Sequence, residues 1–359
     1  MNGNEADKAA DFANYFCSYS YLYHQKQMLM DHVRMRAYHS AIMLNRNLFE
    51  GKVILDVGTG SGVLAMWCAQ AGASKVYAVE YTDMAIHAKK LVETNGLSEI
   101  VEVIQTSVED LELPCKVDII ISEWMGYILL RESMLDSVIR ARDRWLKPEG
   151  CMFPSHATML WSAISFEDDR LGKYNEYCQS MDDWRKFSSE MKQYYSLDMT
   201  ALQSSYEKEQ SDYYIFSSLW SELRTEHVIG QPVVIKRLDL NTCTLADAEC
   251  VHVTPFEITI PFPIRISGFA GWFTVDFNGS VLSPCQNRRQ LSTGPEVGYT
   301  HWGQQVFYLK EALDVTAESK IHGTVEMIRQ EKNKRLYNMR VVSSVDDSSN
   351  IVSQVYEIP

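Results

Sequence analysis

The sequence predicts an α/β fold in which a parallel sheet, covered by helices on both faces, is followed by an antiparallel, barrel-like β region. Three observations carry this prediction. Between residues 52 and 146 short apolar runs alternate with helical stretches, the pattern of strand–helix–strand units. The first run ends in a glycine-rich turn, Asp56-Val-Gly58-Thr-Gly60-Ser-Gly62. From about Pro232 the period changes to two, with turn residues between short alternating segments.

Taken in order, residues 1–11 are polar and are expected to form a disordered tail. Residues 12–50 read as a helical cap rich in Tyr and Met, and residues 51–153 as the parallel domain. Within it, 52–57, 75–80, 101–106 and 117–122 read as strands, and 61–71, 83–95 and 131–146 as helices. Asn95-Gly96 stops the second of these helices. After Pro148-Glu149-Gly150 the texture changes, and Pro154 marks the expected boundary of a second domain, 154–359. Residues 167–205 carry few β signals and form an arm with a helical stretch near 184–197. Tyr177, Met181, Trp184 and Phe187 recur there at spacings of three and four, which supplies an apolar helix face. Segments 256–260, 271–277 and 335–345 alternate as strands do.

Composition narrows the class. The 359 residues are 46% hydrophobic, ordinary for globular domains, and contain no run of about 18 apolar residues that would span a membrane. The start, Met-Asn-Gly-Asn-Glu, lacks a secretory pattern, and Asn at position 2 does not accept myristate. The eight cysteines form no CxxC pair, so neither a zinc site nor a disulfide framework is expected, and the cytosol or nucleus suits the thiols. The net charge of −13 disfavours direct nucleic-acid binding and favours basic partners.

The glycine turn points to a ligand. Glycines allow close approach of backbone to a bound group, and the following helix offers free N–H groups. Glu80 closes the second strand, where a carboxylate can accept both ribose hydroxyls. The loop reads GxGxG rather than the dinucleotide GxGxxG, with Asp56 two positions ahead. An acid there sits badly beside a pyrophosphate but suits a ligand with an ammonium and a sulfonium, as in S-adenosylmethionine. Glu109, just past the third strand, is placed to accept from an adenine amino group.

Beyond the fourth strand lies Ser122-Glu-Trp-Met-Gly-Tyr-Ile-Leu-Leu-Arg-Glu-Ser-Met134. Glu123 emerges at the crevice edge, and Glu132 is expected at the start of the next helix, where the helix dipole alone would favour an acid. Two carboxylates in so apolar a loop require a cation. A guanidinium meets that need bidentately, but above pKa ~12 it stays charged and is a poor nucleophile. Two acids can draw its charge to one side and leave the opposite nitrogen electron-rich, while Trp124, Tyr127 and nearby methionines exclude water.

These motifs together resemble the protein arginine methyltransferases, most closely the plant-type branch. The two-glutamate loop, Ile54–Gly62, Val108-Glu109, Thr300-His301-Trp302 and Tyr15-Phe16-Cys17-Ser18-Tyr19 occur in the family's order and cover the chain from about residue 12. The resemblance implies a Rossmann-like methyltransferase domain of the seven-stranded type, then a β-barrel-like domain with a helical dimerisation arm. It implies that Glu123 and Glu132 clamp the substrate guanidinium, and that His301 accepts or relays a proton, paired with an acid such as Asp31. Tyr15, Phe16, Gln25, Arg34, Asp56, Gly58, Gly60, Glu80 and Glu109 are expected to hold S-adenosylmethionine, Arg34 through the cofactor carboxylate. Tyr19, Met28, Trp124, Met134 and Trp302 are expected around the substrate. Met28 and Met134 match methionines of type I members, which make asymmetric dimethylarginine. Gln25 stands where the family commonly has His, and the arm is longer than usual. A homodimer acting on basic proteins such as histones, with S-adenosylhomocysteine as by-product and a cytoplasmic and nuclear setting, completes the expectation.

Bland readings stay open for single residues: Asp31 and Arg34 as a surface ion pair, Glu109 as a solvated acid, the methionines as filling. Two other functions also stay open, an NAD-dependent oxidoreductase and a non-catalytic module that binds arginine-bearing peptides. A paired-carboxylate glycosidase leaves the glycine turn unexplained.

Overall fold

The computed structural model describes residues 19–346 and 351–358. Helices α1 (Leu22–Met30), α2 (His32–Met43) and α3 (Arg46–Phe49) lead into strand β1 (Val53–Val57). Then follow α4 (Val63–Gln70), β2 (Lys75–Glu80), α5 (Met84–Thr94), β3 (Val101–Gln105), β4 (Val117–Ser122), α6 (Leu135–Trp145) and β5 (Leu146–Phe153). These strands form one parallel sheet in the order β3-β2-β1-β4-β5. Ile54, Leu55, Val57 and Ile119–Ile121 are buried, as expected for strands covered on both faces. The chain steps outward from β1 through β2 to β3 and then returns to β4 on the other side of β1. That reversal opens a crevice at the C-terminal ends of β1 and β4, where α/β sheets take ligands. Among the described residues the sheet has five strands, not seven, because the chain leaves it after β5 for the antiparallel region.

The second part begins with β6 (His156–Ile164), interrupted by α7 (Glu167–Tyr195) and α8 (Gln203–Tyr214). It continues with β7 (Leu219–Ser221), β8 (Val228–Asp239), α9 (Leu245–Glu249), β9 (Cys250–Thr259), β10 (Ile264–Gly279) and β11 (Pro284–Ser292). It ends with β12 (Gln304–Val315), β13 (Lys320–Arg329), β14 (Tyr337–Val345) and β15 (Val352–Ile358). One antiparallel sheet runs β7-β12-β10-β6-β8 with β11 on β10, the other β15-β14-β13-β9. The sheets share an aromatic core: Phe269 meets Trp161 on its own sheet and Phe256 on the other, at centroid distances of 5.5 and 5.6 Å. Backbone bonds of 2.7 Å from Ser218 to Glu357 and from Glu357 to Phe216 tie one edge, giving the barrel-like enclosure.

The excursion at 167–205 extends to Tyr214. Trp184 does not face outward for a partner: it stacks on Tyr206 of α8 at 4.3 Å, and Ser180 bonds Tyr206 and Gln210. Phe187 of the expected face stays exposed, as do Leu171, Tyr174, Tyr194, Tyr195, Leu197, Leu202 and Tyr213.

Candidate active site

The crevice holds a cavity of about 890 Å³. Its floor is the turn after β1. Gly58 and Gly60 have φ of +71° and +55°, conformations that a side chain resists. A Cβ on Gly58 would stand 2.2 Å from Met134 Cε, and one on Gly60 3.0 Å from Gln25 Oε1. Glu80 holds the turn in place: one oxygen accepts from the Gly60 N–H at 2.9 Å, the other from the N–H and hydroxyl of Thr82 at 2.8 Å each. Glu80 still faces the cavity, and carboxylate oxygens accept more than one bond, so it can also receive ribose hydroxyls.

Asp56 departs from expectation. It is fully buried and is not among the cavity-lining residues. Its Oδ2 accepts from the Thr59 hydroxyl and the Ala65 N–H, so it organises the turn and the first turn of α4 from beneath. Burial pushes its carboxyl up to about 7, against the pull of the Thr59 and Ala65 bonds, and Oδ1 has no partner among the described residues. Glu109 lines the cavity at an exposed rim and accepts from Ser137 Oγ at 2.9 Å.

The loop after β4 is built differently. Trp124, Met125, Ile128, Leu129 and Leu130 are buried. Gly126 and Leu129 exchange backbone bonds of 3.1 and 3.0 Å, and a Cβ on Gly126 would fall 1.9 Å from Arg131 O, so the loop crosses itself. Ile128, Leu129, Glu132 and Ser133 all have positive φ, of 44°, 73°, 79° and 57°. Each such residue costs about 1–3 kcal/mol and persists only where its surroundings fix it. Those surroundings come from distant sequence. Trp302 Nε1 donates to Met125 O at 2.7 Å, Tyr38 OH to Ser122 O at 2.9 Å, and Ile128 lies against Gly271 of β10. The positive φ at Glu132 also corrects its expected place. It is not in the first helical turn, since α6 starts only at Leu135, so the helix dipole does not explain it.

Both glutamates line the cavity, with side chains 10% and 17% exposed, which leaves them room only for a partner in the cavity or on its wall. Glu123 Oε2 receives Arg34 Nη2 at 3.0 Å and Nε at 3.1 Å. Arg34 is thus on the cavity wall as expected, but its guanidinium engages Glu123 and Met28 O, because a buried cation and a buried anion side by side neutralise one another. Glu132 receives Tyr19 OH at 2.8 Å and Arg131 Nη1 at 3.3 Å, and Arg131 in turn lies over the Tyr127 ring. Asp31 is no surface ion pair with Arg34. It is fully buried, caps α2 through the Arg34 N–H at 3.0 Å, and accepts from the His301 N–H at 2.9 Å. Its Oδ2 stands 2.7 Å from His301 Nδ1. Burial alone would raise the Asp31 carboxyl; the bonds from His301 and Arg34 outweigh it and hold it below the usual range.

The cavity therefore gathers Tyr19, Gln25, Met28, Arg34, Gly58, Gly60, Glu80, Glu109, Glu123, Trp124, Glu132, Met134, His301 and Trp302. Tyr15 and Phe16 lie outside the described residues. Sequence reasoning missed Tyr38, Trp220, Tyr299 and Arg335. Tyr38 carried a signal, standing four residues after Arg34 on one helix face. Trp220 sits on the short strand β7, and Tyr299 and Arg335 lie in late loops, none with a local mark.

Comparison with known proteins agrees with this geometry. The family model described as the arginine methyltransferase oligomerization subdomain matches residues 156–348, and that of the ribosomal protein L11 methyltransferase matches 39–155. Protein arginine N-methyltransferase PRMT10 of Oryza sativa subsp. japonica is 51% identical over 347 residues, covering 96% of this chain and 90% of the relative. PRMT10 of Arabidopsis thaliana is 48% identical over 344 residues, with the same 96% and 90% coverage. A crystal structure of Arabidopsis thaliana protein arginine methyltransferase 10, described as a uniquely open conformation, superposes with a TM-score of 0.93 at 46% identity, covering 96% of this chain and 100% of that one. The Trypanosoma brucei PRMT1 enzyme–prozyme complex with AdoHcy superposes at 0.81 with 28% identity, over 95% and 100%. Similarity of this extent, over both the donor crevice and the antiparallel sheets, shows that the chain belongs to the protein arginine N-methyltransferase family, enzymes that use S-adenosylmethionine to methylate arginine in proteins.

Proposed function

We propose that this member is a type I enzyme, making monomethylarginine and then asymmetric dimethylarginine on basic segments such as histone tails and Arg/Gly-rich stretches. The observation that carries the reading is the pair of nearly buried carboxylates, Glu123 and Glu132, lining the same cavity as Met28 and Met134. When bound, S-adenosylmethionine supplies an electrophilic methyl on sulfur and leaves as S-adenosylhomocysteine. Glu80 and the Gly58–Gly60 turn hold the nucleoside end. Glu123 and Glu132 seat the substrate guanidinium and draw its positive charge toward themselves, leaving the far nitrogen able to attack. Trp124 and Tyr127 exclude water, which strengthens these charge interactions. The nitrogen gives up a proton after it gains the methyl. His301, with Nδ1 engaged by Asp31, offers its second ring nitrogen for that proton.

A homodimer fits the exposed aromatic residues of α7 and α8 and the match to an oligomerization subdomain. A cytoplasmic and nuclear setting fits the seven described cysteines, all free thiols. The test is incubation with labelled S-adenosylmethionine and a panel of arginine-bearing basic peptides, with product analysis by mass spectrometry and light scattering on the same sample. Asymmetric dimethylarginine and a mass near twice 41.2 kDa are expected. Only the symmetric isomer, or an active monomer, overturns the corresponding part.

A further inference from the structure

Glu132 sits in a left-handed backbone conformation that glutamate does not choose unaided, at φ +79°, followed by Ser133 at +57°. Something must hold it there, and the holding groups lie about two hundred residues away in the turn between β13 and β14. The Glu132 N–H donates to Arg335 O at 2.8 Å, and Arg335 Nη1 donates to Glu132 O at 2.8 Å. One residue thus grips both ends of the Glu132 peptide framework. Next to it, Ser133 Oγ donates to Lys334 O at 2.6 Å.

The gripping turn is itself rigid. Asn333 Oδ1 accepts from the Arg335 N–H at 2.9 Å, and Leu336 N–H bonds back to Asn333 O at 3.2 Å. Gln330 N–H closes the turn on Leu336 O at 2.9 Å. Its base is locked to α6: Arg329 donates to both oxygens of Asp136 at 2.7 and 2.6 Å, and to Tyr337 OH at 2.7 Å. Burial alone would weaken the Arg329 charge, but Asp136 and Tyr337 outweigh it and raise its pKa above the ordinary range. The chain from Asp136 through Arg329 to the Asn333–Arg335 turn is therefore a fixed bracket around the backbone of one acid.

We infer that Arg335 is a positioning residue for methyl transfer, fixing the backbone at Glu132 so that its carboxylate meets the substrate guanidinium in productive geometry. The inference rests on the reading of Glu132 as one arm of the guanidinium clamp. Arg335 itself lines the cavity, so direct substrate contact is the rival role. A cation at this place would repel an arginine-bearing substrate, which favours the structural use of its guanidinium.

The experiment is a double-mutant cycle with R335A, E132Q and the double variant, with R335K as the conservative control. All are measured as full-length protein with melting midpoint and S-adenosylmethionine affinity alongside kcat and peptide KM. R335A is expected to lower kcat by about 10- to 100-fold with folding and cofactor affinity retained, the loss that follows a misplaced catalytic group. R335K should recover part of it. In the E132Q background R335A should cost little more, because the group it positions is already disabled. Additive losses in the cycle, or a change confined to peptide KM, overturn the inference. Should R335A melt early, N333A, which loosens the turn but keeps the guanidinium, must show the same kcat loss and the same non-additivity, and its failure to do so overturns the inference. Full turnover by E132Q instead removes the clamp reading beneath it, a result distinct from a dead E132Q beside an unaffected R335A.

Discussion

The turn after β1 and the loop after β4 face each other across one crevice, yet they are held in opposite ways. The first is secured locally: its glycines take their positive φ at little cost, and its props, Asp56, Thr59, Ala65 and Glu80, all lie within 25 residues. The second puts positive φ on Ile128, Leu129, Glu132 and Ser133 and is secured from Tyr38, Gly271, Trp302, Lys334 and Arg335. A donor pocket can be specified by a short motif because it grips a constant molecule. The acceptor clamp must hold charge at fixed positions, so it borrows stiffness from the antiparallel sheets.

The largest effect should come from the acceptor side. Glu123→Gln is expected to lower kcat by on the order of 10²–10³-fold while S-adenosylmethionine binding by calorimetry stays near wild type. If turnover persists, the two sides are not separable as chemistry and binding. Next, Gly60→Ala forces an L-residue to φ +55° and crowds Gln25. Strain of about 1–2 kcal/mol predicts a roughly tenfold or greater loss of cofactor affinity, with kcat at saturating cofactor little changed. A kcat loss without an affinity loss would erase the contrast.

The smallest effect concerns pH. The Asp56 carboxyl titrates near 7 in the folded state, above its unfolded value. Its favourable contribution is therefore complete below about pH 4 and is lost as pH rises toward 7. In cofactor-free protein, the melting midpoint of wild type relative to Asp56→Asn should fall between pH 5 and 7.5. A difference independent of pH would mean that the turn is not built over a buried, titrating acid.

The same contrast explains what the sequence made legible. Strands 75–80 and 117–122 were placed to the residue, because parallel strands buried on both faces write continuous apolar runs. Glu80, Gly58, Gly60 and Glu123 followed, since strand ends and the sheet's reversal point fix where they emerge. Glu132 was found but put in the wrong conformation: an acid ahead of a helical pattern looks like a first turn, and nothing local reveals that Ser133 and Glu132 turn left-handed. Spacing alone makes Asp56 a ligand group, whereas its side chain bonds Thr59 and Ala65 beneath the loop, a choice that spacing cannot decide. Arg335 was invisible as part of the site, because its partner stands 203 residues away. Trp184 reads as part of an apolar helix face, and periodicity does not reveal that α8 covers it.

Gly271 gives this arrangement a further meaning. It lies on β10, in a sheet that carries neither glutamate, yet a Cβ there would sit 2.4 Å from Ile128 Cδ1 and 3.3 Å from the Trp161 ring. Ile128 already holds a φ of 44°. An enlargement at 271 therefore requires the Ile128 side-chain tip and the Trp161 ring to give way. The antiparallel sheet thus bears on the loop that carries both acids at a contact in which no charged group takes part.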